Sequence, residues 1–124
     1  MKELINYRRQ KAKESFAAAK ILYKNGNFFS AVNRLYYAVF YQVTALLLTK
    51  GFASSKHSGV MALFNKEFVK TGIITKKSGK FYGRLFELRQ EGDYADFTEF
   101  KKNDVELLIR QANIFIKELD GKLR

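Results

Sequence analysis

Apolar residues recur three and four positions apart along almost the whole chain, and no segment alternates strictly between apolar and polar residues. That period marks helices with one face turned to a core, whereas a half-buried strand needs a period of two. The 124 residues contain no proline, so no helix is forced to kink or stop. The expected fold is all-α: a compact up-down bundle of four long helices plus one shorter helix, forming a single domain over residues 1–124.

Glycine, asparagine and hydroxyl residues place the boundaries. Helix one is predicted over Lys2 to Lys24, with Ile5, Ala12, Phe16, Ala19 and Tyr23 inward and Arg9, Lys13, Lys20 and Lys24 on the opposite face. Asn25-Gly26-Asn27 ends it, and Asn27 stands where it can cap the next helix. So short a connection predicts an antiparallel hairpin. Helix two is predicted over Phe28 to Lys50, ending at Gly51. It is apolar on most of its circumference and is expected to be the central helix. "GFASSKHSG" reads as a loop, with Ser54 or Ser55 capping a helix that buries Val60, Met61, Phe64 and Phe68 and stops near Thr71-Gly72. Thr75 is expected to cap helix four, Lys76 to Gln90, with Phe81, Leu85 and Leu88 inward. "EGDYADFTEF" reads as a turn-rich connection. The last helix, Lys101 to Leu119, carries Val105, Leu108, Ala112, Phe115 and Leu119 at bundle-seam spacing, and Gly121 follows as a stop.

Several function classes are excluded or disfavoured. Apolar residues make up 47% of the chain, enough to fold. No apolar run approaches the roughly 18 residues of a membrane span. The charged start "MKELINYRRQKAKES" lacks the apolar centre of an export signal, so a cytoplasmic location is expected. There is no cysteine and one histidine, which argues against a thiolate or histidine metal centre. Asp93, Asp96 and Glu99 lack calcium-loop spacing and read as surface charge, so no metal and no cofactor are expected. Phosphate-binding glycine loops, a nucleophile elbow and a His-Glu-x-x-His motif are all absent.

Net charge is +11, concentrated in residues 1–24 and 73–90, while residues 91–124 are slightly acidic. This balance fits binding to a polyanion or acidic partner, and equally a lysine-rich surface. Within helix two, Ser30, Arg34, Tyr37 and Tyr41 fall on one face at spacings of 4, 3 and 4. An arginine inside so apolar a helix needs a partner. The stripe reads either as a dimer interface, where Arg and Tyr are favoured, or as a groove where Arg34 meets phosphate and tyrosines stack on bases. His57 stands at or near a helix start, as an ordinary first-turn histidine or as an acid–base or phosphate contact. Arg89 and Asp93 read as a structural ion pair, in a segment that could also supply the carboxylate for Arg34 or His57.

"AVNRLYYAVFYQVTALLLTKG" at 31–51, "KHSGVMALFNKEFVKTG" at 56–72 and "LFELRQEGDY" at 85–94 resemble the HEPN family (higher eukaryotes and prokaryotes nucleotide-binding), in its small stand-alone prokaryotic branch. The resemblance implies a bundle of about five helices, a homodimer paired through its central helices, and in many members a minimal nucleotidyltransferase partner within a toxin–antitoxin pair. Nucleases of the family carry an arginine, then four to six intervening residues, then a histidine, on the central helix. Arg34 matches the arginine, but the three positions for the histidine hold Val39, Phe40 and Tyr41. The expectation is a non-catalytic or degenerate nucleotide- or RNA-binding and partner-binding module. Its ligand would meet Arg34, Tyr37, Tyr41, His57 and Arg89. The alternatives are a metal-independent endoribonuclease toxin, with Arg34 and His57 as catalytic candidates, and a purely structural interaction protein.

Overall fold

The structure is a computed structural model describing residues 1–94 and 99–124, the side chains of 91–94 excepted. Its helices are α1 (Lys2–Lys24), α2 (Phe28–Leu48), α3 (His57–Phe64), α4 (Lys76–Tyr94) and α5 (Lys102–Leu123), and a π-helical turn, Asn65–Val69, prolongs α3. Four long helices and one shorter one make an all-α bundle.

α1 and α2 form the most extensive helix pair. The residues that α1 buries, Ala12, Ser15 and Ala19, are all small, so the two helices can run close together. Gly26 turns the hairpin and Gly51 follows α2, at φ of 78° and 75°, a left-handed region where a Cβ is strained. α2 is the central helix: it packs on α1, α3, α4 and α5. Tyr36, Phe64, Tyr82 and Phe115, all fully buried, meet where α2, α3, α4 and α5 converge.

The expected α5 seam, Val105, Leu108, Ala112, Phe115 and Leu119, is buried throughout. Thr75 caps α4 as expected: its Oγ1 accepts from the Ser78 N–H at 3.3 Å. Glu118 of α5 reinforces that end, accepting from the Thr75 N–H, the Thr75 hydroxyl and the Ser78 hydroxyl at 2.8, 3.0 and 2.6 Å. These bonds hold the Glu118 carboxyl below its usual range although burial works the other way.

Other boundaries differ from expectation. α2 stops at Leu48, two residues early. Asn27 precedes α2 but makes no side-chain cap bond. α3 begins at His57, with Lys56 rather than Ser54 or Ser55 at the cap position. The Ser54 hydroxyl instead accepts from the Lys56 N–H within the loop. α4 runs on to Tyr94, because nothing in residues 90–94 forces a stop. Gly121 lies inside α5, which continues past it. Arg9 does not stand free on the outer face of α1. It pairs with Asp120 at 3.1 Å, with both side chains about three-quarters buried. Asp120 also accepts from the buried Gln42 amide at 2.7 Å, so one carboxylate ties α1, α2 and α5 together.

Candidate functional site

The outward stripe of α2 is real. Ser30 is exposed, and Arg34, Tyr37 and Tyr41 are half-buried along the same side of the helix. Helical spacing puts Arg34 one turn before Tyr37, and the guanidinium lies over the Tyr37 ring at 4.8 Å. Its other partner is the Asn33 side-chain oxygen at 3.1 Å. Among the described residues Arg34 has no carboxylate. Among those residues it is oriented by an aromatic face and an amide.

A second cation reaches the same place from α4. The Arg89 guanidinium lies 5.0 Å from the Tyr36 ring and 5.5 Å from the Tyr37 ring, and it donates to the Tyr37 hydroxyl at 3.5 Å. The expected Arg89–Asp93 pair cannot be followed, since the Asp93 side chain lies outside the described residues. Two guanidinium groups thus converge on Tyr37, from α2 and α4.

α3 adds the histidine. Its first residue, His57, lays its ring flat on Phe40, with centroids 4.3 Å apart and planes 11° apart, and stands edge-on to Tyr37 at 5.9 Å. His57 Nδ1 and the Tyr36 hydroxyl are 2.7 Å apart. The hydroxyl donates where Nδ1 carries the lone pair and accepts where Nδ1 carries the hydrogen; Nε2 makes no hydrogen bond among the described residues. Burial, and then the positive Arg89, hold the imidazole below its ordinary pKa, so it is neutral at pH 7. Burial pushes the Tyr36 phenol up to about 12. The pair is therefore an uncharged imidazole and an intact phenol.

Arg34, Tyr37, His57 and Arg89, spread over 56 positions of sequence, form one cluster. Tyr41 joins its edge, 6.3 Å from Tyr37. Ser30 lies one turn before Arg34 on α2 and is exposed. Tyr36 lies outside the stripe read from the sequence and is buried on the core side of α2. The available signal was its hydroxyl, since a buried phenol needs a partner and the chain's single histidine is a natural one. Phe40, the shelf for His57, also lies outside that stripe. No group of three or more metal-ligating side chains occurs among the described residues. No helix among them is long and apolar enough to cross a membrane.

A helical bundle with an arginine at the middle of its central helix, aromatics around it, and a histidine at the start of the short third helix defines the class. A family model described as the HEPN domain matches residues 5–122, and the chain belongs to that family. A UPF0332 protein of Thermotoga maritima is 52% identical over 118 residues, covering 95% of this chain and 89% of that one. In Methanocaldococcus jannaschii, MJ0142, whose name marks it as a candidate toxin, is 38% identical over 88% of this chain and 74% of its own. MJ0605, named in the same way, is 35% identical over 91% of this chain and 84% of its own.

Proposed function

We propose that this HEPN domain is a toxin-type RNA-binding module, whose Arg34–Tyr37–Arg89 cluster receives a phosphate of single-stranded RNA. One observation carries the reading: Arg34 has no carboxylate among the described residues and is laid on Tyr37 beside a second guanidinium. Planar guanidinium groups take phosphate in a bidentate manner, and Tyr37 and Tyr41 offer faces to a neighbouring base. The module works as a homodimer joined through α2, with Ser30, Arg34, Tyr37 and Tyr41 at the joint, and pairs with a nucleotidyltransferase in a toxin–antitoxin system. The names of the two Methanocaldococcus relatives and the resemblance to stand-alone HEPN domains support this part.

A second reading, a metal-independent ribonuclease, has one specific observation in its favour. The central helix lacks a histidine at 39–41, but His57 arrives from α3 and stacks on Phe40, one of those three positions. With Nδ1–H donating to the Tyr36 oxygen, Nε2 carries the lone pair that could take a proton from a 2′-hydroxyl, and Arg34 would stabilise the phosphate charge that develops.

Binding and cleavage of a labelled single-stranded RNA, measured in EDTA on the wild type and on His57→Ala, separate the two. RNA bound but intact supports the binding module. RNA cut by the wild type and spared by His57→Ala supports the nuclease. RNA neither bound nor cut ends both.

A further inference from the structure

α4 and α5 enclose a groove of about 520 Å³, away from the Arg34 cluster. Its α4 wall carries Lys77, Lys80, Phe81 and Arg84, at i, i+3, i+4 and i+7 of one helical face. The α5 wall carries Gln111, Ile114, Phe115 and Glu118 at the same spacing. Phe81 and Phe115 pack together at 5.9 Å as the floor. Ile114, on the rim, is 61% exposed, a large apolar side chain with nothing over it. None of the three cations makes an ion pair among the described residues. The one acid lining the groove, Glu118, is already engaged by Thr75 and Ser78.

We propose that this groove docks an acidic amphipathic helix of a partner protein. The walls are about two helical turns long, the length over which a docked helix sets apolar anchors at i, i+3 or i+4, and i+7. The apolar floor takes the anchors, and the cationic rim takes flanking carboxylates. Nucleic acid fits less well. Ile114, the exposed apolar side chain of the rim, offers no flat face on which a base can stack. A second copy fits less well too. α1 exposes Leu4, Tyr7 and Ile21, but residues 1–24 carry seven Lys/Arg against two Glu; α2 exposes Phe29 with Arg34 as its charge, and α5 exposes Leu107 and Ile114 with its acids and bases in balance, so none of these helices offers the net negative face this rim calls for.

The test uses a fluorescein-labelled helical peptide of about twenty residues, with leucines at the anchor spacing and glutamates on its flanks. Its control has lysines for the glutamates. The expected result is binding of the glutamate peptide roughly tenfold tighter than the control, with amide shifts confined to the groove walls of α4 and α5. Ile114→Glu, a surface change, should weaken it roughly tenfold, and Arg84→Glu should erase the preference for glutamate. RNA binding at Arg34 should be untouched by either change. Equal affinity for both peptides, no binding, indifference to Ile114→Glu, or shifts elsewhere would overturn the proposal. Shifts of these same amides by single-stranded RNA, or loss of a dimer in Ile114→Glu, would overturn it in favour of nucleic acid or of self-association.

Discussion

At the scale of single residues, Arg34 and His57 are each placed by the aromatic side chains around them. Among the described residues the Arg34 guanidinium meets an aromatic face and an amide oxygen. Lysine at 34 would retain the charge but lose the flat stacking surface and the paired donors. Arg34→Lys is therefore expected to bind RNA more weakly than the wild type and more tightly than Arg34→Ala, as titration of the three would show. His57 is kept neutral by burial first and Arg89 second. A base whose folded pKa is depressed resists protonation in the native state, while the unfolded chain protonates it at its ordinary value of 6.5. Stability should fall as pH drops through 6.5 toward the folded value, and His57→Gln should flatten that slope in urea melts taken at successive pH values. Glu118 acts lower down. Its folded pKa lies below its ordinary value of 4.5, so its contribution holds above that pH and disappears as pH falls through the folded value. Thr75→Val removes one of its partners and should reduce this second acid loss.

At the scale of elements, the Asp120 carboxylate joins three helices that no local signal connects. Asp120→Ala strips Arg9 and Gln42 of a shared acceptor and is expected to cost about 1–3 kcal/mol in urea unfolding. Asp120→Asn keeps an acceptor and should cost less. The same network shows where the sequence stops being readable. The α5 seam is written in the spacing of Val105 through Leu119, and the stop at Gly26 is written in its conformational freedom. Arg9 sits 111 positions from Asp120, and no periodicity predicts which pair of helices will bring them together. The π turn at Asn65–Val69 is hidden for another reason: Phe64 and Phe68, four apart, suit an α-helix as well as a wider turn. His57 does stand at the helix start, but the sequence points to Ser54 or Ser55 as the cap because both are better capping residues by type than Lys56. The candidate cluster was half legible. The spacing of Arg34, Tyr37 and Tyr41 declared one face, but the arrival of His57 and Arg89 beside it depends on how α3 and α4 pack on α2.

At the scale of the whole molecule, the charge of +11 and the two-helix origin of the cationic site set how it should respond to salt. A phosphate contact displaces counterions, so affinity for single-stranded RNA should fall linearly in a log–log plot against salt. Arg34→Ala should reduce the slope by somewhat less than one unit. A flat plot would show that the long-range field has no part in binding. Assembly makes an independent demand. If α2 joins two copies, sedimentation at micromolar concentration should give twice the 14.4 kDa chain mass, and Ser30→Lys, which places a like charge on both copies at an exposed position outside the phosphate cluster, should dissociate it. A monomer for the wild type would remove the dimer while leaving the RNA site standing.

The central claim is that Arg34 is held ready for a phosphate, and it is tested most directly by the dissociation constant of single-stranded RNA for the wild type and Arg34→Ala, with thermal unfolding followed on both. Removing a charge-assisted phosphate contact should weaken binding by roughly ten- to a hundredfold, with the unfolding midpoint essentially unchanged. Equal affinity in the two proteins, or weakening only in step with lost folding, would contradict it.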